Sequence, residues 1–150
     1  MVALAKPSMA MPDTQAMHGM VLRLLIEAKQ TRRHRVLIQS LLEECDSYVR
    51  QVLHHGAPEQ LDLLADAACD VLERASGRPV LRSAREHARR KLIGCCELLA
   101  IDGREQGALE HVAQLARLVH RLPPISKCGQ LHLEVLAAPI TRLLLALFAS

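Results

Sequence analysis

Aromatic side chains are nearly missing: the chain has one Tyr, one Phe and no Trp in 150 residues. That excludes most platforms on which a nucleobase, flavin or sugar ring could stack. No stretch alternates apolar and polar residues in the manner of a half-buried strand. The 7 glycines are scattered along the chain rather than gathered into a phosphate-cradling loop. Glu-x-x-His, His-Glu-x-x-His and Cys-x-x-Cys do not occur, which removes the signatures of bundle di-metal sites, zinc proteases and paired-cysteine sites. These absences point to a non-enzymatic protein that uses no metal and no cofactor, with no small-molecule substrate evident.

Half of the residues are hydrophobic, enough for a packed core. A chain of this length fits one domain better than two. The cysteines, Cys45, Cys69, Cys95, Cys96 and Cys128, are odd in number. They read as reduced thiols in a reducing compartment. Residues 1–12 carry one lysine and no sustained apolar run, unlike a secretory leader. The most apolar stretch, 131–149, is interrupted by Glu134, Pro139 and Arg142, whereas a membrane span needs about 20 nearly uncharged residues. The expectation is a cytoplasmic protein without a membrane segment, with a flexible N-terminus (1–12) and a single helical domain (13–150).

Every apolar segment has a helical period. Asp13 is placed to cap a first helix, on which Met17, Met20, Val21, Leu24, Leu25 and Ala28 share a face. The polar run 29–35 follows, either as a turn or as the exposed part of one long helix. Ile38, Leu41, Cys45, Tyr48 and Val52 then form a narrow seam. Gly56 and Pro58 mark a stop and a start, and Leu61, Leu64, Ala68, Val71 and Leu72 face inward up to Gly77. A fresh start at Pro79 puts Leu81, Ala84, Ala88, Leu92, Cys95 and Leu99 on one face, ending at Gly103. A helix over 104–122 is stopped by Pro123-Pro124. A last segment, about 130–149, should be kinked or restarted at Pro139. The predicted fold is all-α: a compact bundle of five or six helices joined by short loops. The competing arrangement stacks three hairpins, 14–55, 58–101 and 104–149, as in an α-solenoid, although no repeat signature accompanies it.

The clearest pattern is electrostatic. Residues 57–76 carry Glu59, Asp62, Asp66, Asp70 and Glu73 against one Arg74. Residues 78–91 carry Arg78, Arg82, Arg85, Arg89, Arg90 and Lys91 against one Glu86. Helical geometry puts the acids opposite their own core face, as a solvated back. The Arg78/Arg82/Arg85/Arg89 row flanks its core face, where Arg stems can cover apolar surface. The row either pairs with neighbouring helices or forms a basic surface for an acidic protein or a phosphate backbone.

The last helix has more apolar surface than one packing seam needs, which is the mark of an interface. The expected function is therefore a protein–protein interaction module (adaptor, regulator or secretion-type chaperone). It would bind a partner helix or itself as a homodimer. Candidate partner-binding residues are Arg78, Arg82, Arg85, Arg89, Leu143, Leu144, Leu147 and Phe148. The alternative is a nucleic-acid-associated regulator using the Arg-rich helix 78–91, aided by the basic run Arg32-Arg33-His34-Arg35. With 15 Arg to 4 Lys, the composition resembles that of small helical accessory proteins of GC-rich bacteria, including secretion chaperones and regulators.

Overall fold

The computed structural model describes residues 12–55, 60–101 and 107–148. Among them are six α-helices and one 3-10 turn: α1 (Thr14–Gln30), α2 (Arg32–His55), α3 (Leu61–Ser76), α4 (Arg82–Ile101), α5 (Ala108–Val119), the turn Ile125–Lys127, and α6 (Gln130–Phe148). The expected turn at Gly56 and Pro58, the stop at Gly103 and most of the expected flexible N-terminus lie outside the described residues, as does the side chain of Leu99.

α1 begins where Asp13 accepts a 2.7 Å hydrogen bond from the Ala16 backbone N–H, satisfying a donor that the helix cannot. α1 and α2 are separate helices. The break is one residue, Thr31, whose extended backbone both ends α1 and lets its carbonyl accept from the Arg35 N–H at the start of α2. α3 ends at Gly77 in the left-handed conformation (φ +72°), with the Gly77 N–H donating to the Glu73 carbonyl at 2.8 Å. Only glycine takes that backbone geometry without steric cost.

α1, α2, α5 and α6 form a ring in which α1 packs on α2, α2 on α5, α5 on α6 and α6 on α1. α3 and α4 lie against this ring, α3 on α2 and α1, and α4 on α6 and α5. The ring decides between the two predicted arrangements. In a stacked array each hairpin touches only its neighbours, yet here the first helical pair packs directly on the third. The bundle is closed.

The buried residues make one hydrophobic cluster drawn from all six helices. The seam of α2 behaves as its spacing predicts, with Ile38, Leu41, Cys45 and Tyr48 fully buried. Tyr48 spans the interior to α4, where its hydroxyl donates to the Leu92 carbonyl at 3.3 Å. The start of α4 differs from the sequence reading. The helix begins at Arg82 rather than Pro79, and Leu81 is 42% exposed. The Val80 N–H donates to Glu73 Oε2 at 3.0 Å, and it is Val80 that packs against the core.

α6 is continuous through Pro139, without the predicted restart. Pro139 removes the donor that the Val135 carbonyl would accept, and that residue lies on an exposed side of the helix. Thr141, buried next to it, donates its hydroxyl to the Ala137 carbonyl at 2.8 Å. Among the described residues α6 alone is long and apolar enough to cross a membrane. Its position accounts for that composition: ten of its residues, from Leu133 to Phe148, are buried against the rest of the bundle.

Candidate functional site: two grooves flanking α2

The Arg row and the acidic row meet each other. Arg85 reaches Asp66 Oδ1 and Asp70 Oδ1 at 3.3 Å each and Glu73 Oε1 at 3.4 Å. Arg89 reaches Asp62 Oδ1 at 2.9 Å and Glu86 Oε1 at 3.5 Å. The acids of α3 stay open to solvent, Asp62, Asp66 and Asp70 being 50–69% exposed, as their helical angle implied. They also meet the Arg row of α4, and the two charge rows form a solvent-exposed ladder between the helices. Arg85 and Arg89, expected as partner-binding residues, are neutralised within the chain. Each half-exposed pair contributes about 0.2–1 kcal/mol.

The ladder's acids sit over Cys69, whose thiol is pushed up to about 11. Burial is the largest cause, partly offset by Arg85 and reinforced by Asp66, Asp70 and Glu73. Burial, helped by Glu44 and Asp46, likewise pushes Cys45 far above the ordinary thiol range. Such thiols stay protonated at neutral pH and are poor nucleophiles.

Leu143, Leu144, Leu147 and Phe148 are also placed otherwise than expected. They are 0–6% exposed and belong to the central cluster. Their surplus of apolar surface is consumed by α1, α4 and α5, which all pack on α6. Lys91 of α4 closes the end of this helix, its ammonium donating to the Ala146 carbonyl at 2.7 Å. None of these four side chains presents a surface to a partner.

Among the described residues, two larger surface grooves are both bordered by α2. The first, about 860 Å³, lies between the start of α2 and the α3–α4 turn. Arg33, Arg74 and Arg78 stand around it, with Val36, Leu37 and Pro79 as apolar wall and Asp70 and Glu73 at one side. Asp70 and Glu73 are already engaged by Arg85. Among the described residues the three guanidiniums have no ion pair, so the lining sets three unpaired cations beside two carboxylates that share Arg85 with Asp66. Val36 is 58% exposed. The structure thus joins Arg78 to the basic run 32–35, two features far apart in sequence. Arg82 is exposed on the first turn of α4 and is not part of the groove wall. Arg74 escaped the sequence reading because it is the lone cation in an acidic segment. Val36 escaped it because it stands off the seam.

The second groove, about 550 Å³, lies between α2 and α5. Val49, Val52, Leu53, Leu109, Ala113 and Ala116 form its apolar lining. At one end His120 Nε2 lies 2.8 Å from Asp46 Oδ1 and 3.1 Å from Arg50 Nη2. Arg50 Nε also meets Asp46 Oδ2 at 3.1 Å. No signal of this groove was read from the sequence, although Leu53, 70% exposed, is an apolar residue displaced from the α2 seam.

Among the described residues no three His, Cys, Asp or Glu side chains are grouped to hold a metal ion. No protein family matches the chain, and no curated protein or solved structure matches it.

Proposed function

We propose that this protein is a non-enzymatic interaction module, an adaptor, regulator or chaperone, that seats an acidic segment of another protein in the groove between α2 and the α3–α4 turn. The observation that carries the reading is the convergence of Arg33, Arg74 and Arg78 on a groove whose acidic residues are already paired. Guanidinium forks bind carboxylates bidentately, and three of them around one groove select for several carboxylates in a short stretch. Val36, Leu37 and Pro79 add an apolar contact, so a segment mixing Glu or Asp with aliphatic residues is the best complement. The nucleic-acid alternative loses its strongest support, because Arg85 and Arg89 are held in the ladder rather than offered to phosphates.

The test is fluorescence anisotropy with a labelled peptide alternating Glu and Leu, set beside labelled duplex DNA. The wild-type chain should bind the peptide. The double variant Arg33→Glu/Arg78→Glu should weaken that binding at least about tenfold, given about 1.5–3 kcal/mol for a charge-assisted bond. Arg23→Glu, an equally exposed charge reversal on α1, should leave it unchanged. Equal loss in both variants, or tighter binding to duplex with a steep salt dependence, would overturn the reading.

A further inference from the structure

The α2–α5 groove has features that fit it to another copy of itself. α5 carries Glu110 in its first turn and Arg117 in its last. The two are seven residues apart, two turns on the same face. Both line the groove, both are exposed, and neither has an ion pair among the described residues. Ala113 stands midway between them, and with Ala116 it leaves a hollow that larger side chains would fill. A second α5 laid antiparallel across Ala113 brings each Glu110 opposite the other copy's Arg117, and the small side chains permit close approach of the backbones. The arrangement is two-fold, the commonest symmetry of soluble dimers, and it requires a patch complementary to itself.

The groove also offers an apolar projection to match its hollow. The Asp46–His120 contact fixes how α2 runs beside α5: residue 46 lies at the α5 C-terminus, and Leu53, two turns on, approaches Leu109 and Glu110. Leu53 is 70% exposed although it borders an apolar lining of Val49, Val52, Leu109 and Ala113. In the symmetric arrangement each Leu53 gains an apolar surface from the facing copy, and the Asp46–Arg50–His120 cluster closes the rim. The charges at the two ends of α5 are the ones its own dipole favours, so one physical cause sets up both the helix and its antiparallel complement.

We propose that the protein forms a two-fold homodimer through the α2–α5 groove, with Glu110–Arg117 pairs across an Ala113 crossing and Leu53 buried between the copies. This contact lies farther along α2 than the basic groove and does not depend on what that groove binds. The contact is small, since α5 has only 12 residues, so the association is concentration-dependent.

Sedimentation velocity of the full chain over a range of concentrations tests it. The mass should rise from 16.6 kDa toward twice that value. Leu53→Asp should weaken dimerisation at least about tenfold by burying an unpaired carboxylate, with helical circular dichroism unchanged because the position is exposed. Glu110→Arg and Arg117→Glu should each weaken it about fivefold or more, since two exposed pairs turn repulsive. An equimolar mixture of these two single variants should associate again. The arginine introduced at position 110 of one then faces the glutamate introduced at position 117 of the other, and the unchanged Arg117 of the first faces the unchanged Glu110 of the second. A chain that stays monomeric at the highest concentration, a dimer indifferent to Leu53→Asp, or single variants that fail to rescue each other would each overturn the proposal.

Discussion

Truncating Leu144 to Ala distinguishes a core helix from an interface helix. Leu144 is fully buried in the C-terminal half of α6 and belongs to the single hydrophobic cluster. Removing its three terminal carbons forfeits their transfer free energy and leaves a cavity that a close-packed bundle fills only in part, at a cost of about 3–5 kcal/mol. Total stability for a domain of this kind is about 5–15 kcal/mol. One truncation therefore removes a large share of it and lowers the melting temperature by about 6–20 °C, at about 2–4 °C per kcal/mol. Leu131 is the control: it lies on the same helix but is 71% exposed, so Leu131→Ala should stay within about 0.5 kcal/mol. Urea unfolding followed by circular dichroism reads both, with the slope m unchanged so that midpoints compare directly. The reasoning fails if Leu144→Ala leaves the midpoint in place while abolishing an association of the chain. In that case α6 faces a partner, and the closed packing against α1, α4 and α5 is not the state in solution.

Two further perturbations probe electrostatics. Arg85→Met removes the hub that meets Asp66, Asp70 and Glu73. Because the site is partly exposed, the loss should be about 1–2 kcal/mol in low salt, and screening should shrink it in 1 M NaCl; a loss independent of salt would mean that Arg85 acts through packing alone. His111 has its pKa lowered, first by burial and then by the charge of Arg142, with Glu110 opposing. Well above the ordinary value of 6.5 the ring is neutral in both states. As the pH falls below 6.5, the unfolded chain takes up a proton that the folded chain resists, so stability declines until the folded-state pKa is passed. His111→Gln should flatten that decline in urea midpoints measured between pH 7.5 and 5.5, and an unchanged pH slope would place its cause elsewhere.

The contrast between α6 and the Arg row shows where reading residues in order runs short. Apolar periodicity named the inward faces of α1, α2 and α3 closely, because a helix must turn its apolar stripe to the core whichever helix covers it. It misjudged α6, where apolar residues nearly all round have two explanations: a partner outside, or neighbours on several sides within. The number of neighbours is a property of the whole bundle. The acids of α3 present the same ambiguity. Helical angle placed them rightly away from their own core face and open to solvent, but where α4 docks is settled by packing, and its docking made that solvated row half of a ladder. Leu81 differs for a local reason: a hydrogen bond from Val80 to Glu73, seven residues back, sets which side chain enters the core.

Short-range chemistry was therefore written into the order of residues. The Asp13 cap, the glycine end of α3, the seam through Tyr48 and the all-helical architecture depend on neighbours within a turn or two, and local sterics and periodicity suffice to determine them. Closure of the ring, the meeting of α3 with α4, the burial of Leu143, Leu144, Leu147 and Phe148, and the two grooves beside α2 depend on residues far apart in the chain, as in the 74-residue separation of Asp46 and His120. Those follow from the shape and charge of whole helices packed against each other, and no local rule carries that information.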